Sequence, residues 1–138
     1  MKRLSEFDLV NNVFFYGRVT YTESLKAQES FDAFLCTSVK VIRGEDYALP
    51  SKIFDYITFQ KPLLGFVTPG ACHEFIKKGG LGVICNPDKP HESSLILEEL
   101  IDKGIHLKPN KTYLDSFQRK NIAEKLAKII TDNIQKRT

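Results

Sequence analysis

Lys52 and Asp55 are the residues whose type and spacing come closest to doing chemistry. They sit just after Pro50-Ser51 in the run Tyr47-Ala48-Leu49-Pro50-Ser51-Lys52-Ile53-Phe54-Asp55-Tyr56-Ile57. The run reads as a turn and the start of a helix, and the apolar stretch Leu63 to Val67 after Gln60-Lys61-Pro62 reads as a buried strand. A helix start beside a sheet can hold an anion, because its first N–H groups lack intrahelical acceptors and the peptide dipoles leave partial positive charge there. A lysine in that turn opposes the dipole at a cost of about 0.3–1 kcal/mol, and a bound diphosphate removes the conflict. The alternative for Lys52 is an ordinary solvated side chain, and pattern alone leaves both open. Asp55 either accepts hydrogen bonds from a ligand or complements the helix dipole. Ser51 suits the helix N-cap on either reading, although Phe54 three residues on excludes a capping box.

Other polar residues carry less. His73 falls near a helix start after Pro69-Gly70-Ala71-Cys72, where it either touches a phosphate or sugar or is a partly buried histidine. His91 and His106 look like surface or loop residues. No pair of histidines, and no Cys/His pair, has zinc-site spacing, and neither a Gly-x-Ser-x-Gly nor a Walker loop is present. Neither a built-in nucleophile nor a metal or cofactor is therefore expected. Cys36, Cys72 and Cys85 are odd in number, far apart and set in apolar surroundings, as reduced core thiols would be.

The elements that must position these residues come from a chain of 138 residues, expected to form one domain over 1–138. At 42% apolar and 27% charged residues it has the composition of a globular protein, and its net charge of +3 calls for no nucleic-acid or membrane partner. No apolar run approaches bilayer length and the N-terminus lacks the pattern of a signal peptide, so a cytoplasmic location is expected. Val13 to Tyr16, ending at Gly17, reads as an unbroken strand; Thr20 or Thr22 caps a helix with Glu23 near its start that runs towards Ser30. Ala33 to Cys36 reads as a strand leading through Thr37 and Ser38 into a loop with Arg43-Gly44-Glu45-Asp46. After the helix of Lys52 and the strand Leu63 to Val67 come a helix over Ala71 to Lys78 closed by Gly79-Gly80, and a strand over Gly82 to Cys85. Ser93 to Lys103 and Phe117 to Ile134 read as helices, the latter within a C-terminal segment 115–135. Four strands alternating with helices imply an α/β fold, a Rossmann-like open and mostly parallel sheet with helices on both faces, in which ligands sit beyond the carboxyl ends of the strands.

Three pieces resemble the carboxy-terminal, donor-binding half of a retaining GT-B glycosyltransferase of the large family that uses nucleotide-activated sugars. Asn12 to Val19 is similar to the strand and glycine turn before the nucleotide-base pocket, and Phe31 to Ser38 to the next strand, whose end faces the donor. Pro50 to Tyr56 with Lys61-Pro62 resembles the family's helix and its lysine-proline turn. The resemblance runs from about Asn11 onward, and the order of the pieces makes it more specific than any one of them.

The resemblance implies a donor site for a nucleotide-diphosphate sugar. In the family a glutamate on either side of this helix start contacts the transferred sugar and the ribose. The lysine-proline turn matches Asp55 to the ribose position and Tyr47 to the sugar position. Tyr47 departs from the pattern because it cannot supply charge; Glu45 and Asp46 are the neighbouring carboxylates. Pro50-Ser51-Lys52 would aim Lys52 at the diphosphate as an electrophilic stabiliser of the leaving group, with no metal required. Gly17, Arg18 and Val19 would lie near the base, and Ser38 at the donor-facing strand end. The implied product is a polysaccharide or surface glycan, built on a glycan or lipid-linked acceptor by a full enzyme that can associate with a membrane. The family's first donor-domain strands and its acceptor domain are not in this chain, so little or no activity is expected of it alone. A missing acceptor domain or a partner subunit is implied, and a bare sheet edge would favour homo-oligomers. Two alternatives remain: a non-catalytic α/β interaction domain, and a sugar-nucleotide epimerase-like domain, for which no clear acid and base set is present.

Overall fold

A computed structural model of the chain describes residues 2–38, 46–104 and 106–135, and these form two compact units, Met1–Ser30 and Phe31–Thr138. In the first unit, α1 (Lys2–Glu6) and a 3-10 turn (Val10–Asn12) precede α2 (Tyr21–Glu29). Thr20 begins α2 as expected. Its hydroxyl accepts from the Glu23 amide, and the Glu23 carboxylate accepts from the Thr20 amide at 2.8 Å, closing a capping box. Ser30 ends the helix.

The strand expected at Val13 to Tyr16 does not form. All four side chains are exposed, Phe14 to 76%, and the backbone lies outside any strand. β-propensity is a preference for a pleated surface with neighbours, and an isolated run of β-prone residues in a helical segment has no strand to pair with.

The second unit is an α/β layer built on three parallel strands, β1 (Phe34–Thr37), β2 (Leu63–Phe66) and β3 (Gly82–Cys85), in that spatial order. The register aligns Phe34 with Leu63 and Gly82, and Cys36 with Gly65 and Ile84. Side chains alternate across a strand, so these residues share one face. That face is the core: Phe34, Cys36 and Leu63 are buried with Ile53 of α3 (Lys52–Thr58) and with Cys72, Phe75 and Ile76 of α4 (Ala71–Gly79). Phe34 stacks on Tyr56 of α3 at 4.4 Å between centroids. The opposite face is covered less evenly. Leu35 is 60% exposed at edge strand β1, whereas α5 (Pro90–Lys103) packs on β3 and its Ser93 hydroxyl donates to the Asn86 carbonyl at 2.9 Å.

Glycine ends α4: Gly80 adopts the left-handed conformation (φ 62°, ψ 38°), with Lys77 and Lys78 in the last turn complementing the dipole. Beyond α5, a short α6 (Lys111–Asp115) that sequence patterning misses precedes α7 (Arg119–Gln135). Phe117, between them, meets Phe75 edge-to-face at 4.8 Å and Tyr113 at 5.2 Å, which anchors α6 on α4. All three cysteines are free and buried.

Candidate functional site

The carboxyl ends of β1 and β2 converge on a polar junction. Ser38 follows β1, its amide donating to the Phe66 carbonyl and its hydroxyl accepting from the Thr68 amide at 3.3 Å. Asp46 pairs with Gly70 in an isolated parallel bridge, and the Ala71 amide, first in α4, donates to the Asp46 carbonyl. Gly70 is obligatory at this contact: its φ is 152°, and a Cβ would run into the Asp46 backbone.

Asp46 is buried, at 5% exposure. One carboxylate oxygen accepts from the Ala48 amide at 2.9 Å; the other, Oδ2, has no hydrogen-bond partner among the described residues. An unpaired buried carboxylate oxygen is expensive, costing on the order of 1–3 kcal/mol, and such atoms concentrate where a ligand or chemistry completes them. No side chain caps the nine-residue α4 beside it. With the Ala71 amide on Asp46 and the Glu74 amide on the Gly70 carbonyl, the Cys72 and His73 amides are the first-turn donors without a partner among the described residues. His73 is partly buried, and its Nδ1 lies 3.3 Å from Glu74 Oε1.

The residues expected from sequence are distributed differently. Lys52 is exposed and is not among the residues lining the groove beside α3; α3 has only seven residues, and the amides of Ile53 and Phe54 already bond to the carbonyls of Pro50 and Ser51. Ser51 is not a side-chain cap. Its own backbone is helical (φ −58°, ψ −32°), which turns the hydroxyl away from the amides it would bond. Tyr47 is 89% exposed and Pro50 half-buried. Asp55 and Ser51 line a groove of about 1070 Å³ between α3, α6 and the start of α7, floored by Phe54, Phe75 and Phe117 and rimmed by Lys61, Lys111 and Arg119. This groove reaches Leu63 and Leu81, towards the starts of β2 and β3, away from the junction of Ser38 and Asp46. Gly17, Arg18 and Val19 belong to the first unit, where Gly17 has φ 71°. Glu45 lies outside the described residues.

Thiols lie against the junction. The Sγ atoms of Cys36 and Cys72 are 3.4 Å apart in the core. Either sulfur can donate in this contact; it draws the Cys36 pKa below the ordinary thiol value, while the same hydrogen bond, followed by burial, pushes that of Cys72 up. Among the described residues no cluster of His, Cys, Asp and Glu has the makings of a metal site.

Sequence reasoning matched Tyr47 to the sugar position and named Glu45 and Asp46 as the neighbouring carboxylates. Burial of Asp46 depends on its bridge to Gly70, a contact between distant segments that no local pattern encodes. Comparison with protein-family models, with curated proteins and with solved structures gives no match to this chain.

Proposed function

We propose that this chain is the donor-binding part of a GT-B-type retaining glycosyltransferase, with a Rossmann-like sheet that receives a nucleotide-diphosphate sugar beyond the carboxyl ends of its strands. The observation that carries the proposal is the buried Asp46 carboxylate, whose Oδ2 is without a partner among the described residues, beside the uncapped start of α4. A sugar or ribose hydroxyl donating to Oδ2 satisfies it, and the first-turn amides of α4 favour the diphosphate. Open parallel sheets bind ligands at that edge because the amide-rich ends of their helices point there. Lys52, on its exposed stem, acts as a mobile cation drawn to the bound diphosphate, whereas Asp55, which lines the groove away from the junction, takes no part in this site. Catalysis is then electrostatic: cation and amides stabilise charge on the departing diphosphate while an acceptor attacks. The acceptor and its domain come from a separate segment or subunit.

Thermal-shift measurement on the full chain with uridine, guanosine, adenosine and cytidine diphosphates tests this. Stabilisation by one of the four, growing with ligand concentration as mass action requires and lost in Asp46→Ala, is the expected result. Unchanged melting with all four sinks the proposal.

The interaction-domain reading is favoured by a different observation, the exposed apolar side chains of Leu35 and of α7. Such surface on a folded domain invites a partner.

A further inference from the structure

α7 is the most exposed long element of the second unit: it contains no buried residue, and every residue from Ile122 to Gln135 is exposed. Its large aliphatics are not scattered. At 100° per residue, Ile122, Leu126, Ile129 and Ile130, widened by Ala123 and Ala127, occupy one sector of roughly 160°. Their exposures run from 49% to 58%. Asn133 falls in the same sector, but its side-chain amide is turned back on the helix, donating to the Ile129 carbonyl at 2.7 Å.

Three of the four cations lie outside that sector: Lys120 and Lys125 flank its two edges and Lys128 lies opposite, while Arg119 falls within it, at its N-terminal end. Glu124 and Asp132 lie on the side away from the aliphatics. Four cations to two carboxylates leave the helix basic, and the chain as a whole is at +3. A second copy of the helix would bring like charge against like, whereas an anionic surface would complement it.

From this arrangement we infer that α7 is an interfacial membrane helix, lying in the plane of an anionic lipid surface with Ile122, Leu126, Ile129 and Ile130 in the acyl boundary. Lys120 and Lys125 snorkel to lipid headgroups from the two margins while Glu124 and Asp132 remain in water. The helix lies on the membrane and does not cross it: among the described residues, no helix is long and apolar enough to span a bilayer. A basic amphipathic helix with exposed aliphatics gains from both lipid terms, apolar burial and attraction to the negative leaflet. This inference stands apart from the donor site, because α7 contributes nothing to the Asp46 junction.

Flotation of the full chain with vesicles of phosphatidylcholine alone, and with vesicles of phosphatidylcholine and phosphatidylglycerol in equal parts, tests it. Binding to the anionic vesicles is expected to exceed that to neutral ones by tenfold or more and to weaken as salt is raised. Lys120→Gln and Lys125→Gln should each weaken it about fivefold. Leu126→Asp should abolish it with the melting temperature unchanged, since the side chain it replaces is already exposed. Absence of flotation with both vesicles, or equal flotation with both, overturns the inference. So does a dimer in gel filtration that Leu126→Asp dissociates, because a second copy then covers the face.

Discussion

Cys36 Sγ and Cys72 Sγ lie 3.4 Å apart, joining the middle of an edge strand to the first turn of the helix that covers the sheet. Two thiols in contact titrate as a unit: one gives up its proton more easily because the other keeps its own. Cys36 is therefore drawn below the ordinary thiol value of 9.0 and Cys72 pushed above it, and burial pushes Cys85 up as well.

This arrangement fixes the sign of the alkaline stability profile. Cys36, with its lowered value, adds stability that is present above the ordinary thiol range and lost as pH falls through its folded value. Cys72 and Cys85, with raised values, add stability present below that range and lost as pH climbs. Above about pH 9 Cys36 is ionised in both states, so Cys72 and Cys85 set the sign: the unfolded chain binds fewer protons and stability declines. The urea midpoint should fall between about pH 9 and pH 10, and fall less steeply in Cys85→Ala. A midpoint that is level or climbs over that interval contradicts the assignment.

Phe75 is the keystone of the aromatic cluster. It is 1% exposed and touches Phe54, Tyr113 and Phe117. Phe75→Ala should cost about 3–5 kcal/mol in urea unfolding, since rings on several sides cannot collapse into the space. A loss under 1 kcal/mol would mean the cluster is not formed in solution.

Two left-handed glycines separate backbone strain from collision. Gly17 and Gly80 both have positive φ, but a Cβ at Gly17 meets nothing within 4 Å while one at Gly80 runs into the Lys108 carbonyl. Asparagine relieves the strain of positive φ but not the collision. Gly17→Asn should leave melting nearly unchanged and Gly80→Asn should lower it markedly. Equal effects at the two positions would refute the contact with Lys108.

Asp46 and Lys52 should show opposite trade-offs from ordinary core and surface residues. Asp46→Asn keeps an acceptor for the Ala48 amide while removing a buried charge, so stability should hold or increase as nucleotide affinity disappears. Lys52→Ala should change unfolding free energy by no more than about 0.5 kcal/mol, its side chain being exposed. Under the donor proposal it should still weaken diphosphate binding. Urea unfolding and calorimetric titration of the two variants separate these effects; strong destabilisation by Asp46→Asn would assign the carboxylate to structure alone.

Much of the second unit was legible in the chain because its signals are local. Gly82 to Cys85 reads as a strand from its β-branched run after glycines and Gly79-Gly80 marks the end of α4, just as, in the first unit, Thr20 with Glu23 marks the start of α2. The misses have physical causes. Val13 to Tyr16 has the composition of a strand, but pairing is a property of the neighbour, and no strand stands there to complete it. α6 is five residues long, too short for a periodic pattern to declare. Ser51 looked like a cap by residue type, yet a cap also needs extended backbone, which Ser51 does not have. At the site, local patterning selected Lys52 and Asp55, whereas Asp46 is made special by a bridge to Gly70 that only the folded chain creates.

Amide NMR of the full chain during titration with the four nucleoside diphosphates tests the central claim most directly. The account predicts saturable shifts with one of them at Ser38, Thr68, Ala71 and Cys72, absent in Asp46→Asn. Silence at these amides with every nucleotide, or shifts confined to the groove between α3 and α6, would contradict it.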